Sequence, residues 1–151
     1  MHHSAISRQF IVAREIENFL LVPDAINHSV ERKVLDQAKR SGKAAATFVP
    51  FASVFLEGFC QDKKSYIQAQ YLAVRRRFEK GGASSINDAT FNEEVLNEFE
   101  KLWVTSASRL LIVPGKEALG AINKHLQGLY GVNITPTSIA DAMKMKKFQL
   151  R

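Results

Sequence analysis

The stretch Arg109-Leu-Leu-Ile-Val-Pro-Gly-Lys-Glu-Ala-Leu-Gly-Ala-Ile122 constrains the fold more than any other. Residues 110–113 form an apolar run too short for a globular helix. The run contains β-branched residues and is closed by Pro114 and Gly115, a pattern that predicts a strand and a tight turn. Lys116 then opens a helical pattern, with Leu119, Ile122 and Leu126 spaced i, i+3 and i+7. A strand flanked by helices belongs in a sheet with other strands. Residues 9–13 are the only other good candidate, and they lead into the polar cluster Arg14-Glu15-Ile16-Glu17-Asn18. The sequence therefore predicts that these two stretches meet.

The remainder is helical in pattern. Residues 24–40 carry the stripe Ile26, Val30, Val34 and Ala38, and Ser41-Gly42-Lys43 is a plausible stop. Residues 44–49 are ambiguous: the alanines favour helix, whereas Thr47-Phe48-Val49 before Pro50 favours extended chain. Phe51, Val54, Phe55, Leu56 and Phe59 predict a buried helix over 51–60. A further helix over 64–79 is expected to turn Tyr66, Ala69 and Ala73 inward. Gly81-Gly82-Ala83-Ser84-Ser85 is the clearest linker. Next comes a helix within 87–103, capped near Thr90 or Asn92, with Phe91, Val95, Leu96, Phe99, Leu102 and Trp103 facing the core. Thr135-Pro136 is a cap followed by proline at the first helical position, and Ile139, Ala140 and Met143 are expected inward. The expected fold is mainly α with a small β component. At 151 residues the chain fits one compact domain or a fragment.

Composition narrows the class. A 46% hydrophobic content supports a real core. No apolar run approaches the roughly 18–20 residues that cross a membrane. The single Cys60 excludes an intramolecular disulfide framework and suits a reducing compartment, so a cytoplasmic location is expected. A net charge of +6 fits nucleic acid or an acidic partner, and equally an ordinary soluble domain. Arg75-Arg76-Arg77 would suit a nucleic-acid backbone; a solvated helix face is the plainer alternative. His28 and His125 are isolated, and no Cys/His spacing suits zinc.

Gly115-Lys116 invites comparison with a phosphate loop and fails it. The residues before Gly115 are apolar, and Lys116 is followed by Glu117 where a hydroxyl would be needed. Lys116 at a helix start could still set its charge over a phosphate, or simply be an exposed lysine. Glu15 and Glu17, placed after a strand, would suit a hard cation such as magnesium that positions an attacking water, with Arg14 on the phosphate. The local alternative pairs Glu15 with Arg14 or Lys33.

Residues 14–26, opening Arg14-Glu15-Ile16-Glu17-Asn18-Phe19-Leu20, resemble the R-x-I/E-E-N-Y/F-L segment that follows the paired aspartates of Toprim nuclease domains. The nearest group is the overcoming-lysogenization-defect (OLD) type of ATPase-linked defence nucleases, associated with phage defence. Residues 113–123, containing Val113-Pro114-Gly115-Lys116, look like the carboxy-terminal Gly-Lys helix of those domains. The resemblance implies a divalent-metal-dependent DNA endonuclease. In it Glu17 assists metal or water placement, Lys116 stabilises phosphate charge, Arg14 positions the backbone, and Glu15 is a second, less certain metal ligand.

The family also requires an Asp-x-Asp pair and an earlier glutamate upstream of Arg14, and this sequence has no Asp-x-Asp. The expectation is therefore a carboxy-terminal portion, inactive alone, with Toprim-like segments near 9–21 and 109–127 and a helical insertion over 24–105. It would be completed by an upstream Toprim or ATPase portion. Magnesium would be held only in the completed protein, with none bound tightly by this chain alone. DNA and a second copy of the chain remain candidate partners. Two alternatives stand beside this: a helical protein-interaction or dimerisation module, and a nonspecific DNA-binding domain using Arg75, Arg76 and Arg77.

Overall fold

The computed structural model describes residues 15–80 and 87–149. Prolines and a left-handed glycine set the ends of its outer helices. Pro23 opens α1 (Pro23–Ser41), where a fixed φ suits a first turn. Gly42 at φ 70 closes it, returning its N–H to Ala38 O. At the far end Thr135 Oγ1 accepts from Ser138 N at 3.1 Å, capping α6 (Pro136–Gln149). Between them lie α2 (Ala52–Lys80), α3 (Asp88–Trp103), α4 (Ser106–Ile112) and α5 (Gly115–Leu129), and a 3-10 turn, Ile16–Leu20, precedes α1.

One core joins these elements. α1 buries Ile26, Val30 and Val34, and α6 packs against it with Ile139 and Ala142. The first turns of α2 sit against α5, where Phe55 meets His125. Farther along, α2 packs on α3, with Tyr71 against Phe99 at 5.8 Å and Phe99 stacked on Trp103 at 5.1 Å. Phe91, Val95, Phe99 and Trp103 recur every fourth residue and are all buried. Each such side chain stabilises the fold by about 1.5–3 kcal/mol.

Three asparagines join the elements by satisfying backbone groups that helix ends leave open. Asn27 Oδ1 in α1 accepts from Phe51 N and Ala52 N, at 3.0 and 3.1 Å, at the start of α2. Asn123 in α5 pairs with Ile134 in both directions, accepting from its N–H at 2.8 Å and donating to its carbonyl at 3.0 Å. Asn18, 3% exposed, donates to Leu110 O at 2.8 Å and Val113 O at 2.7 Å, and accepts from Glu15 N.

Several expectations are corrected. Among the described residues there is no strand. Residues 110–112 are the last turn of α4, which begins at Ser106 behind the Thr105 cap; Thr105 Oγ1 accepts from Ser108 N. The apolar run misleads because residues from Leu110 to Gly115 are nearly all buried, so the helix shows no polar face there. The other strand expected, over 9–13, lies outside the described residues. The mainly-α-with-β fold class is thus replaced by a purely helical one over the described residues. The α/β architecture that the Toprim and OLD-type resemblance implies is overturned with it.

Smaller differences have local causes. The helices expected over 51–60 and 64–79 are one continuous α2. Its later buried face is Ile67, Tyr71 and Arg75; Tyr66, Ala69 and Ala73 are exposed. The stripe is rotated because an arginine with two acidic partners takes an inward position. α3 is capped by Asn87, whose Oδ1 accepts from Thr90 N at 2.8 Å, one turn earlier than Thr90 or Asn92. Among the described residues no helix is long and apolar enough to cross a membrane.

Candidate functional site

The 3-10 turn and the first turn of α5 bring residues 15–18 beside residues 113–116. Asn18 makes the junction, and Gly115 makes room for it. A Cβ on Gly115 would lie 3.0 Å from Asn18 N, 3.0 Å from Asn18 Oδ1 and 3.1 Å from Glu17 Cβ. The backbone atom cannot swing aside, because Asn18 is held by two buried bonds. Gly115→Ala is therefore expected to cost about 1–2 kcal/mol in urea unfolding, although alanine favours a helix by about 1 kcal/mol elsewhere. An unchanged or raised midpoint would show that the junction yields.

Glu17 and Lys116 thus flank one junction, Glu15 and Glu17 half-buried and Lys116 exposed. Arg14 lies outside the described residues. A hard cation is held by about six or more oxygens, and among the described residues no three of His, Cys, Asp and Glu come together to hold a metal ion. With no strand and no third ligand among the described residues, the nuclease-fragment function is overturned, and so are the endonuclease and defence assignments that depended on it. The junction is a packing joint.

The arginine run divides. Arg75 turns into the α2/α3 interface, donating from Nη1 to Glu79 at 2.8 Å and from Nε to Glu98 at 3.0 Å. Its guanidinium also lies 5.9 Å from the Phe91 ring centre, and Tyr71 Oη donates to the same Glu98 oxygen. Burial by itself would lower the Arg75 pKa. The hydrogen bonds and charges of Glu79 and Glu98 outweigh that and hold it above its usual value. Arg76 and Arg77 are exposed, with Arg76 donating to Asn92 Oδ1 at 2.6 Å. The continuous triple-arginine surface therefore reduces to two cations. Cys60 is buried, and burial, reinforced by Glu57 and opposed by Arg109, pushes its thiol up to about 11, which leaves it a poor nucleophile. A polar groove of about 140 Å³ between α1 and α6 is lined by Arg32, Lys33, Asp36 and Asp141 with two serines. Its cations and acids balance, so it has no charge preference for a ligand.

The strongest surface feature lies elsewhere. Residues 44–56 and 125–140 contain no Asp, Glu, Lys or Arg, in a chain that is 24% charged. The fold brings these two stretches together. Phe48 meets Tyr130 at 6.1 Å between ring centres, His125 sits 5.5 Å from Phe51 and 5.0 Å from Phe55, and Val49 N donates to Tyr130 Oη. These five rings are half-buried. Beside them Val49, Val54 and Leu129 are 61%, 81% and 57% exposed.

Sequence reasoning took Phe51, Val54, Phe55, Leu56 and Phe59 as the marks of a buried helix over 51–60. In α2 the buried positions are Ala52, Leu56 and Cys60, which leaves Val54 on the opposite side. The absence of charge in two distant stretches was the signal that could have marked this face. Compared with known proteins, the chain matches no family model, no curated protein and no solved structure, so the functional reading rests on this geometry.

Proposed function

We propose that this chain is a helical protein-interaction module that docks through its uncharged aromatic face. The observation that carries the proposal is the exposure of Val49, Val54 and Leu129 beside a half-buried aromatic cluster, on a surface with no charge from two separate stretches. Scattered exposed apolar residues are ordinary. A contiguous apolar patch marks a place where another surface is covered. Val54 and Leu129 add little to folding, being 81% and 57% exposed, whereas the half-buried rings beside them pack against the core.

The double substitution Val54→Glu with Leu129→Glu is accordingly expected to leave helix content unchanged and to shift unfolding by no more than about 0.5 kcal/mol per site. It should abolish most binding of an apolar dye such as anilinonaphthalene sulfonate by the folded chain. A folded wild-type chain that binds no dye would contradict the proposal, as would a double variant that fails to fold.

A further inference from the structure

We infer that the strap joining α1 to α2 is a cleavage site for an endoprotease that accepts small uncharged side chains, cut between Ala44 and Thr47, and that the cut protein stays assembled as two chains. Residues 41–47 are all exposed, and 44–50 form neither helix, turn nor strand. No hydrogen bond among the described residues takes up the backbone of 44–47. An endoprotease binds its substrate as an added extended strand, through those same N–H and C=O groups. Exposed chain with small side chains is where nicking concentrates. Ala44, Ala45 and Ala46 offer successive methyl groups to a shallow specificity pocket.

Span keeps the strap extended, against the helical preference of its alanines. Asn27, midway along α1, holds Phe51 N and Ala52 N, so the strap must run back from Gly42 to the level of Asn27. That is about 22 Å at 1.5 Å per residue. The chain from Gly42 to Phe51 would cover only about 14 Å as a helix, and at most about 30 Å fully extended. The strap therefore crosses nearly taut and cannot coil. At its far end Phe48 packs against Phe51 and Tyr130, 6.5 and 6.1 Å between ring centres. Pro50 lacks the N–H that a strand partner would use. The accessible window is what remains, 44–47.

Cleavage adds one water across an amide, leaving a carboxylate on the amino-terminal piece and an ammonium on the other. The new ends do not separate the pieces. α1 buries Ile26, Val30 and Val34 in the core, and Ser29 Oγ donates to Ser138 Oγ of α6 at 2.9 Å. The bonds from Phe51 N and Ala52 N to Asn27 also survive, now joining one chain to the other. The rival site is Gly81-Gly82-Ala83-Ser84-Ser85, the linker with the plainest sequence signal.

Brief digestion of the full chain with pancreatic elastase, which takes small side chains, tests this by intact-mass spectrometry, gel filtration and circular dichroism. The expected first cut falls between Ala44 and Thr47, with both pieces eluting together at unchanged helix content. Ala44→Asp, Ala45→Asp and Ala46→Asp combined should slow that cut about tenfold or more. Ala45→Pro with Ala46→Pro, which an unbonded extended strap accommodates, should do the same. A first cut at 81–86 or inside a helix overturns the assignment of the site. A strap cut as fast in both blocked variants overturns the small-residue specificity. Pieces that separate, or that lose helix content on cutting, overturn the two-chain assembly.

Discussion

Asn18→Asp is expected to lower the unfolding free energy by about 4 kcal/mol at neutral pH, although it exchanges one amide for a carboxylate of the same shape. The amide nitrogen donates to Leu110 O and Val113 O, carbonyls at the end of α4. A carboxylate oxygen there is an acceptor facing two acceptors, in a residue only 3% exposed. Each buried carbonyl left without a donor costs about 1–3 kcal/mol, and the desolvated charge adds to that.

The sign with pH follows. The introduced carboxyl has a folded pKa raised above its unfolded value of about 3.9, so stability is lost as pH rises through the folded value and returns toward pH 4, where a protonated carboxyl can donate one bond. Urea unfolding of Asn18→Asp between pH 4 and 8 reads this directly. Asn18→Ala should lose about 3 kcal/mol with no comparable pH slope. A variant within 1 kcal/mol of wild type at pH 7 would mean that α4 and the 3-10 turn are not joined through this side chain.

Arg75→Ala is expected to cost about 3–5 kcal/mol. The loss comes less from the missing arginine than from Glu98, whose side chain is 13% exposed and keeps its charge without its guanidinium partner. Tyr71 still donates to it, which limits the loss. Replacing both members, Arg75→Met with Glu98→Gln, should recover much of the stability, because a buried pair contributes little net energy against well-packed neutral groups. A double variant no more stable than Arg75→Ala would show instead that shape at the α2/α3 interface decides the matter.

These two positions show what the sequence reveals and what it hides. Helices were legible where local chemistry marks them. Pro23 and Gly42 bound α1, Thr135-Pro136 opens α6, and the four-residue spacing of Phe91, Val95, Phe99 and Trp103 gives the buried face of α3. The polar cluster containing Asn18 also declared itself as unusual. Its partners did not, because a bond from Asn18 to Val113 spans 95 residues.

Local rules failed where tertiary surroundings override them. Leu110 and Ile112 sit in a helix buried on most sides, which erases the periodicity that separates helix from strand. Arg75 breaks the expectation that charges face water, because Glu79 and Glu98 travel inward with it. The uncharged aromatic face was hidden for a different reason. Phe51 and Phe55 follow core spacing, and only the fold shows that His125 and Tyr130 meet them at the surface, with Val54 left outside.

The central claim is that the stretch around Leu110 is helical and that Asn18 caps its end, in a fold that is helical over the described residues. Backbone chemical shifts of the isotopically labelled chain test it most directly. The expected result is helical Cα shifts throughout Ser106–Ile112, with the Asn18 side-chain amide protons protected from exchange with water. Strand-type shifts over residues 110–113 with cross-strand contacts to another segment would contradict it.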